Sequence, residues 1–212
     1  MSTLRVNEIF YSIQGESSRS GLPTIFIRLT GCPMRCSYCD TAYAFHEGTN
    51  QKISEIIESI KKFSTKYVTV TGGEPLAQKG CFKLLDDLSK SGYQVSLETG
   101  GAIDVSPVNP KVKIILDVKT PKSGESENNL WENLEKIKKN DEIKFVIEDK
   151  DDFSWSHQII RKYQLNQHQV LFSPVYNKLS GTTLANWIMD DGLEVRLQLQ
   201  LHKILWGEKK GV

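Results

Sequence analysis

No apolar run in this 212-residue chain approaches the length of a membrane span, and its first residues, Met1-Ser2-Thr3-Leu4-Arg5, hold no signal-peptide core. Charge of one sign is also missing. The 27 Lys and Arg stand against 26 Asp and Glu, a net charge of +1, so nothing predicts the basic face of a nucleic-acid binder. Cysteine is scarce, four in all, and three of the four crowd between Cys32 and Cys39. Clustered thiols without an export signal fit a reducing cytoplasm, where they bind metals instead of pairing as disulfides. With 39% hydrophobic and 25% charged residues the composition is that of a soluble globular protein, so disorder is not the default. The length suits one domain with a substantial core. The expectation is a cytoplasmic protein of one domain, residues 1–212, that meets neither membrane nor nucleic acid.

What is present centres on Thr30-Gly31-Cys32-Pro33-Met34-Arg35-Cys36-Ser37-Tyr38-Cys39-Asp40, spaced C-x3-C-x2-C directly after the strand-like Thr24-Ile25-Phe26-Ile27-Arg28-Leu29. Three thiolates on one loop can converge on a soft metal centre. A closed zinc site wants four ligands and an ordinary cubane cluster wants four cysteines, so this set is one short. A distant histidine or Cys81 could complete zinc. Alternatively, a four-iron cluster keeps one iron open for chemistry. Cys81 itself lies in a helical stretch with no partner at ligand spacing and reads as a small packing residue.

A second motif lies downstream. The β-rich Tyr67-Val68-Thr69-Val70-Thr71 runs into Gly72-Gly73-Glu74-Pro75, a glycine turn at a strand end where a ligand can approach backbone amides. Further strand-like runs end in polar groups: Glu98 after Tyr93–Leu97, Asp117 and Lys119 in Lys113–Pro121, and Ser173 in Gln169–Pro174. Glu98 could bond a ribose or merely cap the next element. Near the start, Ser12-Ile13-Gln14-Gly15-Glu16-Ser17 reads either as an extended arm with a turn, or as an amide and a carboxylate flanking a glycine to recognise a heterocycle edge. Glu194–Leu201 alternates strictly and reads as a strand, followed by His202-Lys203-Ile204-Leu205-Trp206-Gly207 and a terminal Val212. His157 and His168 lie in polar surroundings and read as surface residues.

C-x3-C-x2-C with Tyr38 before its last cysteine, joined to Gly-Gly-Glu-Pro, resembles the radical S-adenosylmethionine (SAM) superfamily. Ser-Ile-Gln-Gly-Glu before the loop and Leu-Gln-Leu-His-Lys-Ile-Leu-Trp-Gly at the end resemble one family within it, 7-carboxy-7-deazaguanine synthase of the queuosine and 7-deazapurine pathway. The resemblance implies that Cys32, Cys36 and Cys39 hold a [4Fe–4S] cluster whose open iron is chelated by SAM, the source of a 5′-deoxyadenosyl radical. It implies SAM contacts at Ser37, Tyr38, Gly72, Gly73, Glu74, Glu98, Asp117, Lys119, Ser173 and Tyr176. It implies a Mg2+ ion on the Thr41 hydroxyl, which otherwise reads as a turn or cap. It implies substrate contacts at Ile13, Gln14, Gly15, Glu16, Arg28, Thr71, His202 and the Val212 carboxylate. The implied reaction is that of a carbon–nitrogen lyase. Hydrogen is abstracted from 6-carboxy-5,6,7,8-tetrahydropterin, the ring contracts, ammonia leaves, and 7-carboxy-7-deazaguanine forms with SAM regenerated. A flavodoxin- or ferredoxin-type electron donor and a homodimer are implied with it. Two departures stand out: Ser17 where many relatives have Gly, and Gly100-Gly101 where they have Asn-Gly or Gln-Gly. The other readings are an activase that makes a glycyl radical on a partner enzyme, and a non-enzymatic iron–sulfur or zinc module.

Apolar strands alternate with helical segments such as Ile53–Phe63 and Gly80–Leu88, which predicts an α/β fold with a mostly parallel sheet. About seven strands and few helices fall short of a closed eight-fold barrel of roughly 250 residues. An abbreviated, open, radical-SAM-type partial (β/α) barrel is expected, with its N-terminal arm (1–23) and C-terminal tail (201–212) reaching the substrate site. Ser123 to Asn129 reads as a mobile loop, and Leu130 to Lys139 as a helix.

Overall fold

The computed structural model describes residues 2–212. The chain runs β1 (Thr3–Ile13), β2 (Pro23–Leu29), β3 (Thr49–Lys52), α1 (Ile53–Ile60), β4 (Tyr67–Gly72), α2 (Gly80–Lys90), β5 (Gln94–Thr99) and β6 (Lys113–Val118). It continues through α3 (Asn133–Lys136), β7 (Glu142–Ile147), α4 (Lys150–Lys162), β8 (Gln169–Pro174), α5 (Gly181–Asp190), β9 (Arg196–Leu197) and α6 (Leu201–Trp206). The strands form one sheet in the order β3-β1-β2-β4-β5-β6-β7-β8-β9. Pairing is antiparallel from β3 to β2 and parallel from β2 to β9. Because β3 and β9 remain edges, the barrel is open, as expected.

The two faces of the sheet differ in chemistry. Alternate residues of each strand point to opposite sides. One side sends Ile25, Ile27, Val68, Val70, Val95, Leu97, Ile143 and Phe145 against Ile56 and Ile60 of α1, Leu84, Leu85 and Leu88 of α2, and Phe153 of α4. That is the core. The intervening residues face the concave side, and besides the apolar Phe26, Ile115 and Val146 they include the polar Thr69, Thr71, Ser96, Glu98, Asp117, Glu142, Lys144 and Ser173. A parallel sheet buried on both faces normally reads as continuous Val, Ile and Leu. Ionisable side chains at Glu98, Asp117, Glu142 and Lys144 therefore mark this face as something other than core.

Four expectations need correction. Nine strands form, not about seven: the arm is itself an eleven-residue strand, and β3 and β9 are too short to show a period. The tail strand covers only Arg196–Leu197. Gln198 N–H still bonds Phe172 O at 2.8 Å, but β8 ends at Pro174, which has no N–H with which to extend the ladder. The chain turns so that Leu201 N–H meets Gly15 O at 3.0 Å, and Leu201–Trp206 is helical.

The helix at Leu130 to Lys139 shrinks to Asn133–Lys136, where Asn133 is tied to the backbone of residues 101–105 and a side-chain bond replaces the helical ladder at the far end. Asn133 bonds Gly101 O, Ile103 O and Val105 N–H, while the Asp141 carboxylate accepts from Lys138 N–H. Residues 123–129 are not a loose loop either. Two short 3-10 turns fill the stretch from Pro121 to Asn128, Ser123 is fully buried, and the Asn129 side chain bonds both the N–H and the carbonyl of Lys119.

Candidate active site

The cysteine loop leaves β2 at its C-terminal end and the Gly-Gly turn leaves β4 at its C-terminal end, and these strands are parallel neighbours. The two motifs therefore touch. Gly73 N–H donates to Leu29 O at 3.3 Å, and Glu74 N–H to Gly31 O at 2.8 Å. A Cβ on Gly73 would collide with Gly31 O and with Cβ of Cys32. The second glycine is thus required by close approach, not by an unusual φ.

The segment misread as a mobile loop buttresses the cysteines from the other side. Glu125 accepts from Arg35 N–H at 2.5 Å, Ser37 N–H donates to Ser123 O at 2.9 Å, and Ser37 Oγ donates to Lys122 O at 2.7 Å. The Tyr38 hydroxyl shares a 3.3 Å bond with Thr120 Oγ1, and burial pushes its pKa above the ordinary tyrosine range.

One cavity of about 510 Å³ opens at the C-terminal ends of the parallel strands, where sheets of this kind bind ligands. Every residue to which the resemblance gives a role lines it except Glu74. Cys32, Cys36, Cys39, Ser37, Tyr38 and Thr41 come from the cysteine loop, and Thr71, Gly72 and Gly73 from the glycine turn. Strand ends supply Glu98, Asp117, Lys119 and Ser173, followed by Tyr176. Ile13, Gln14, Gly15, Glu16 and Arg28 come from β1, β2 and the loop between them, and His202 and Val212 from the tail. Glu74 is fully buried behind the wall. Its carboxylate accepts from Leu76 N–H, Thr99 Oγ1 and Gly100 N–H at 2.7–3.0 Å, so it braces the ends of β4 and β5.

The donor set suits the cofactor that the motifs imply. The three loop cysteines are unpaired and half-buried, and they face one cavity. Burial raises the Cys32 thiol, and the Cys36 thiol to about 11, so loading a metal there displaces protons. Among the described residues no three metal-ligating side chains surround a single ion site. Across the cavity, Asp117 Oδ1 is buried without a hydrogen-bond partner. Its other oxygen holds Lys119 Nζ at 2.9 Å; burial would lower the ammonium's pKa, but Asp117 outweighs it and keeps Lys119 charged. An orphaned carboxylate oxygen is what a ligand hydroxyl or ammonium would satisfy. Cys81 is fully buried on α2 in the core, as its packing role requires.

At the other end of the cavity, Gln14 Nε2 donates to Thr69 Oγ1 at 3.1 Å and lies 3.2 Å from Glu98 Oε1, while its Oε1 accepts from Glu16 N–H at 3.1 Å. Glu16 forms an ion pair with Lys144 and accepts from Gln200 Nε2 at 2.8 Å. Burial opposes its charge, but Lys144 prevails and lowers its pKa to about 2. Glu98 goes the other way, raised first by burial and then by the nearby Glu16 charge. Arg28 Nε donates to Glu8 at 2.7 Å, and Tyr43 OH donates to the same oxygen at 2.8 Å. Phe10 and Phe26 stack with centroids 4.8 Å apart and form an apolar wall. Sequence reasoning missed Lys144, Gln200 and this aromatic wall. For Lys144 a signal existed: a lysine alternating with Ile143, Phe145 and Ile147 on a strand that should be apolar throughout.

Comparison with known proteins agrees with this geometry. Residues 26–115 match the model of the radical SAM superfamily. A protein of Chlorobaculum tepidum named 7-carboxy-7-deazaguanine synthase is 43% identical, over 99% of this chain and 97% of its own length. One of the same name from Koribacter versatilis is 40% identical over 99% of this chain and all of its own. In fold, the crystal structure of QueE from Escherichia coli superposes with a TM-score of 0.79 at 23% identity, covering 94% of this chain and 95% of that one.

Proposed function

The chain belongs to the 7-carboxy-7-deazaguanine synthase family of the radical SAM superfamily, and from that premise we propose how its cavity converts 6-carboxy-5,6,7,8-tetrahydropterin to 7-carboxy-7-deazaguanine with loss of ammonia. The observation that carries the reading is a division of labour in one cavity. Thiols and an orphaned carboxylate line one end, and a buried amide and carboxylate pair lines the other. Cys32, Cys36 and Cys39 would hold a [4Fe–4S] cluster, which together with SAM would supply the radical chemistry for hydrogen abstraction. The Gly72-Gly73 turn, Asp117 and Lys119 orient SAM. Gln14 and Glu16 take the N–H-rich edge of the pterin, and Arg28, fixed through Nε by Glu8, offers its remaining N–H groups to the substrate carboxylate. The aromatic wall and the tail keep bulk water from the reacting carbon.

Finer elements belong to the same reading. The Thr41 hydroxyl, at the cavity wall 3.8 Å from the Cys39 sulfur, would hold a Mg2+ ion that helps to bind the substrate carboxylate. The chain works as one domain whose arm and tail complete the substrate site, which the Leu201 N–H bond to Gly15 O supports. The protein is a cytoplasmic homodimer reduced by a flavodoxin- or ferredoxin-type donor, and its product feeds 7-deazapurine synthesis for tRNA modification. Among the described residues no helix is long and apolar enough to cross a membrane. Neither the glycyl-radical activase nor the non-enzymatic module has an observation in its favour.

The test is anaerobic reconstitution with iron and sulfide, then incubation with SAM, dithionite, Mg2+ and 6-carboxytetrahydropterin. Product of the mass of 7-carboxy-7-deazaguanine is expected, and Cys36→Ala should abolish it without lowering the thermal midpoint by more than a few degrees. If 5′-deoxyadenosine accumulates without that product, the substrate assignment is wrong.

A further inference from the structure

Strand β7 reads Glu142-Ile143-Lys144-Phe145-Val146-Ile147, and its odd-numbered residues are fully buried in the core. Lys144 therefore points to the concave face, where its side chain is only 14% exposed. A lysine in such a place persists only when its charge is matched. Its match is Glu16, 128 residues earlier, whose other oxygen accepts from Gln200. The carboxylate is thus held at both ends by distant segments, on β7 and just before α6. The remaining neighbours of Glu16 supply no second fixed cation. His202, on α6, sits below the ordinary histidine range because it is buried, and is neutral near pH 7. Glu98, on β5, adds a carboxyl, and Asp117, on β6, faces Lys144 as a further negative group. Asp40 lies beyond Gln200, with 3.4 Å between Gln200 Nε2 and its Oδ2.

We propose that Lys144, with Gln200, is a positioning residue for substrate recognition: it holds the Glu16 carboxylate in one orientation toward the cavity, so that selection of a heterocycle bearing an N–H-rich edge runs through the Lys144–Glu16 pair. The inference rests on the substrate reading above. A carboxylate accepts two parallel N–H bonds well only when its plane is fixed, and a free Glu16 would rotate or take up a proton in this buried setting. An analogue with an oxygen in place of the exocyclic amine leaves one carboxylate oxygen unpaired and is rejected for that reason.

The experiment is calorimetric titration of the reconstituted, SAM-loaded enzyme, without reductant, with 6-carboxypterin and with 6-carboxylumazine, which lacks the exocyclic amine. Wild type should prefer the pterin by at least about tenfold. Lys144→Met should weaken pterin binding about 10- to 100-fold and erase most of the preference, while Lys144→Arg restores much of both. In Lys144→Met, pterin affinity should also fall more steeply toward acid pH than in wild type, because burial without the cation favours the protonated form of Glu16. Gln200→Leu should shift affinity in the same direction, about 3- to 10-fold, and carries the test if Lys144→Met does not fold. Unchanged preference and pH dependence in folded Lys144→Met, or unchanged pterin affinity in Gln200→Leu, would overturn the proposal. If wild type binds neither compound, the substrate reading falls first, and the role of Lys144 with it.

Discussion

Two buried glutamate–lysine pairs lie on the same face of β7, two residues and about 7 Å apart, and they behave differently. In the lower pair, Glu142 meets Lys113 Nζ at 2.6 Å, its side chain is wholly inaccessible, and Ser18 N–H reaches both its oxygens at 3.0 and 3.2 Å. Lys113 Nζ also donates to Ser18 Oγ at 2.7 Å. In the upper pair, Lys144 and Glu16 share the same chemistry, but both line the cavity. Both pairs grip the loop between β1 and β2, one at Ser18 and the other at Glu16. The lower pair is closed, with its hydrogen-bonding capacity taken up by protein. The upper is left open toward a ligand. Completeness of the hydrogen-bond shell, not residue type, separates a structural ion pair from a recognition site.

Breaking the closed pair should have the larger effect on stability. Glu142→Leu leaves the Ser18 N–H unsatisfied and the Lys113 charge unpaired. Because Lys113 is partly exposed, the cost should be about 2–4 kcal/mol, at the low end for a broken buried pair. Urea unfolding measures it, and an unchanged midpoint would mean that the pair does not anchor the loop.

A pH series sharpens the contrast at the open pair. Glu16 has a folded pKa of about 2 against an ordinary 4.5, so its contribution is fully present above 4.5 and lost as pH falls toward 2. Glu98 has the opposite sign. Its folded pKa is raised, so it favours the folded state below the ordinary value and loses that contribution as pH rises through the folded pKa. Glu98→Gln should therefore flatten the upper part of the stability–pH curve, whereas Glu16→Gln should flatten the acid limb. Urea midpoints from pH 3 to 8 distinguish them, and identical curves for the two variants would contradict the split.

The smallest effect is expected within the gripped loop itself. Ser17 adopts φ of +65°, a left-handed conformation that disfavours side chains, and it is buried with Oγ accepting from Arg19 N–H at 3.2 Å. Ser17→Gly relieves the strain but gives up that bond and some rigidity of the unfolded chain, for a net gain of about 0.5 kcal/mol. A thermal midpoint that falls by several degrees would show that the hydroxyl outweighs the backbone.

Much of this was legible before any coordinates. The strands Tyr67–Thr71 and Glu142–Ile147 announce themselves by composition, and the cysteine spacing and Gly-Gly-Glu-Pro name their chemistry through residues close in sequence. The errors share a cause. The polar stretch 123–129 looked loose because its partners, Arg35 and Ser37, lie about ninety residues away. The alternation at 194–201 promised a long strand, but strand length depends on the neighbouring edge, and Pro174 ends that edge. Glu74, expected at the SAM site, stands behind the cavity wall because the end of β5 claims its carboxylate.

The sequence alone determined that the chain forms parallel strands backed by helices, that three thiols and a glycine turn stand at strand ends, and that a carboxylate and an amide flank Gly15. These follow from local periodicity and from side chains whose chemistry does not depend on neighbours. Only the tertiary structure decided which buried charges are closed off and which face a ligand. An ion pair is made by whichever strands become adjacent, and spacing along the chain does not encode that adjacency: Lys144 meets Glu16, and Lys113 meets Glu142, because of where β1, β6 and β7 lie in one sheet.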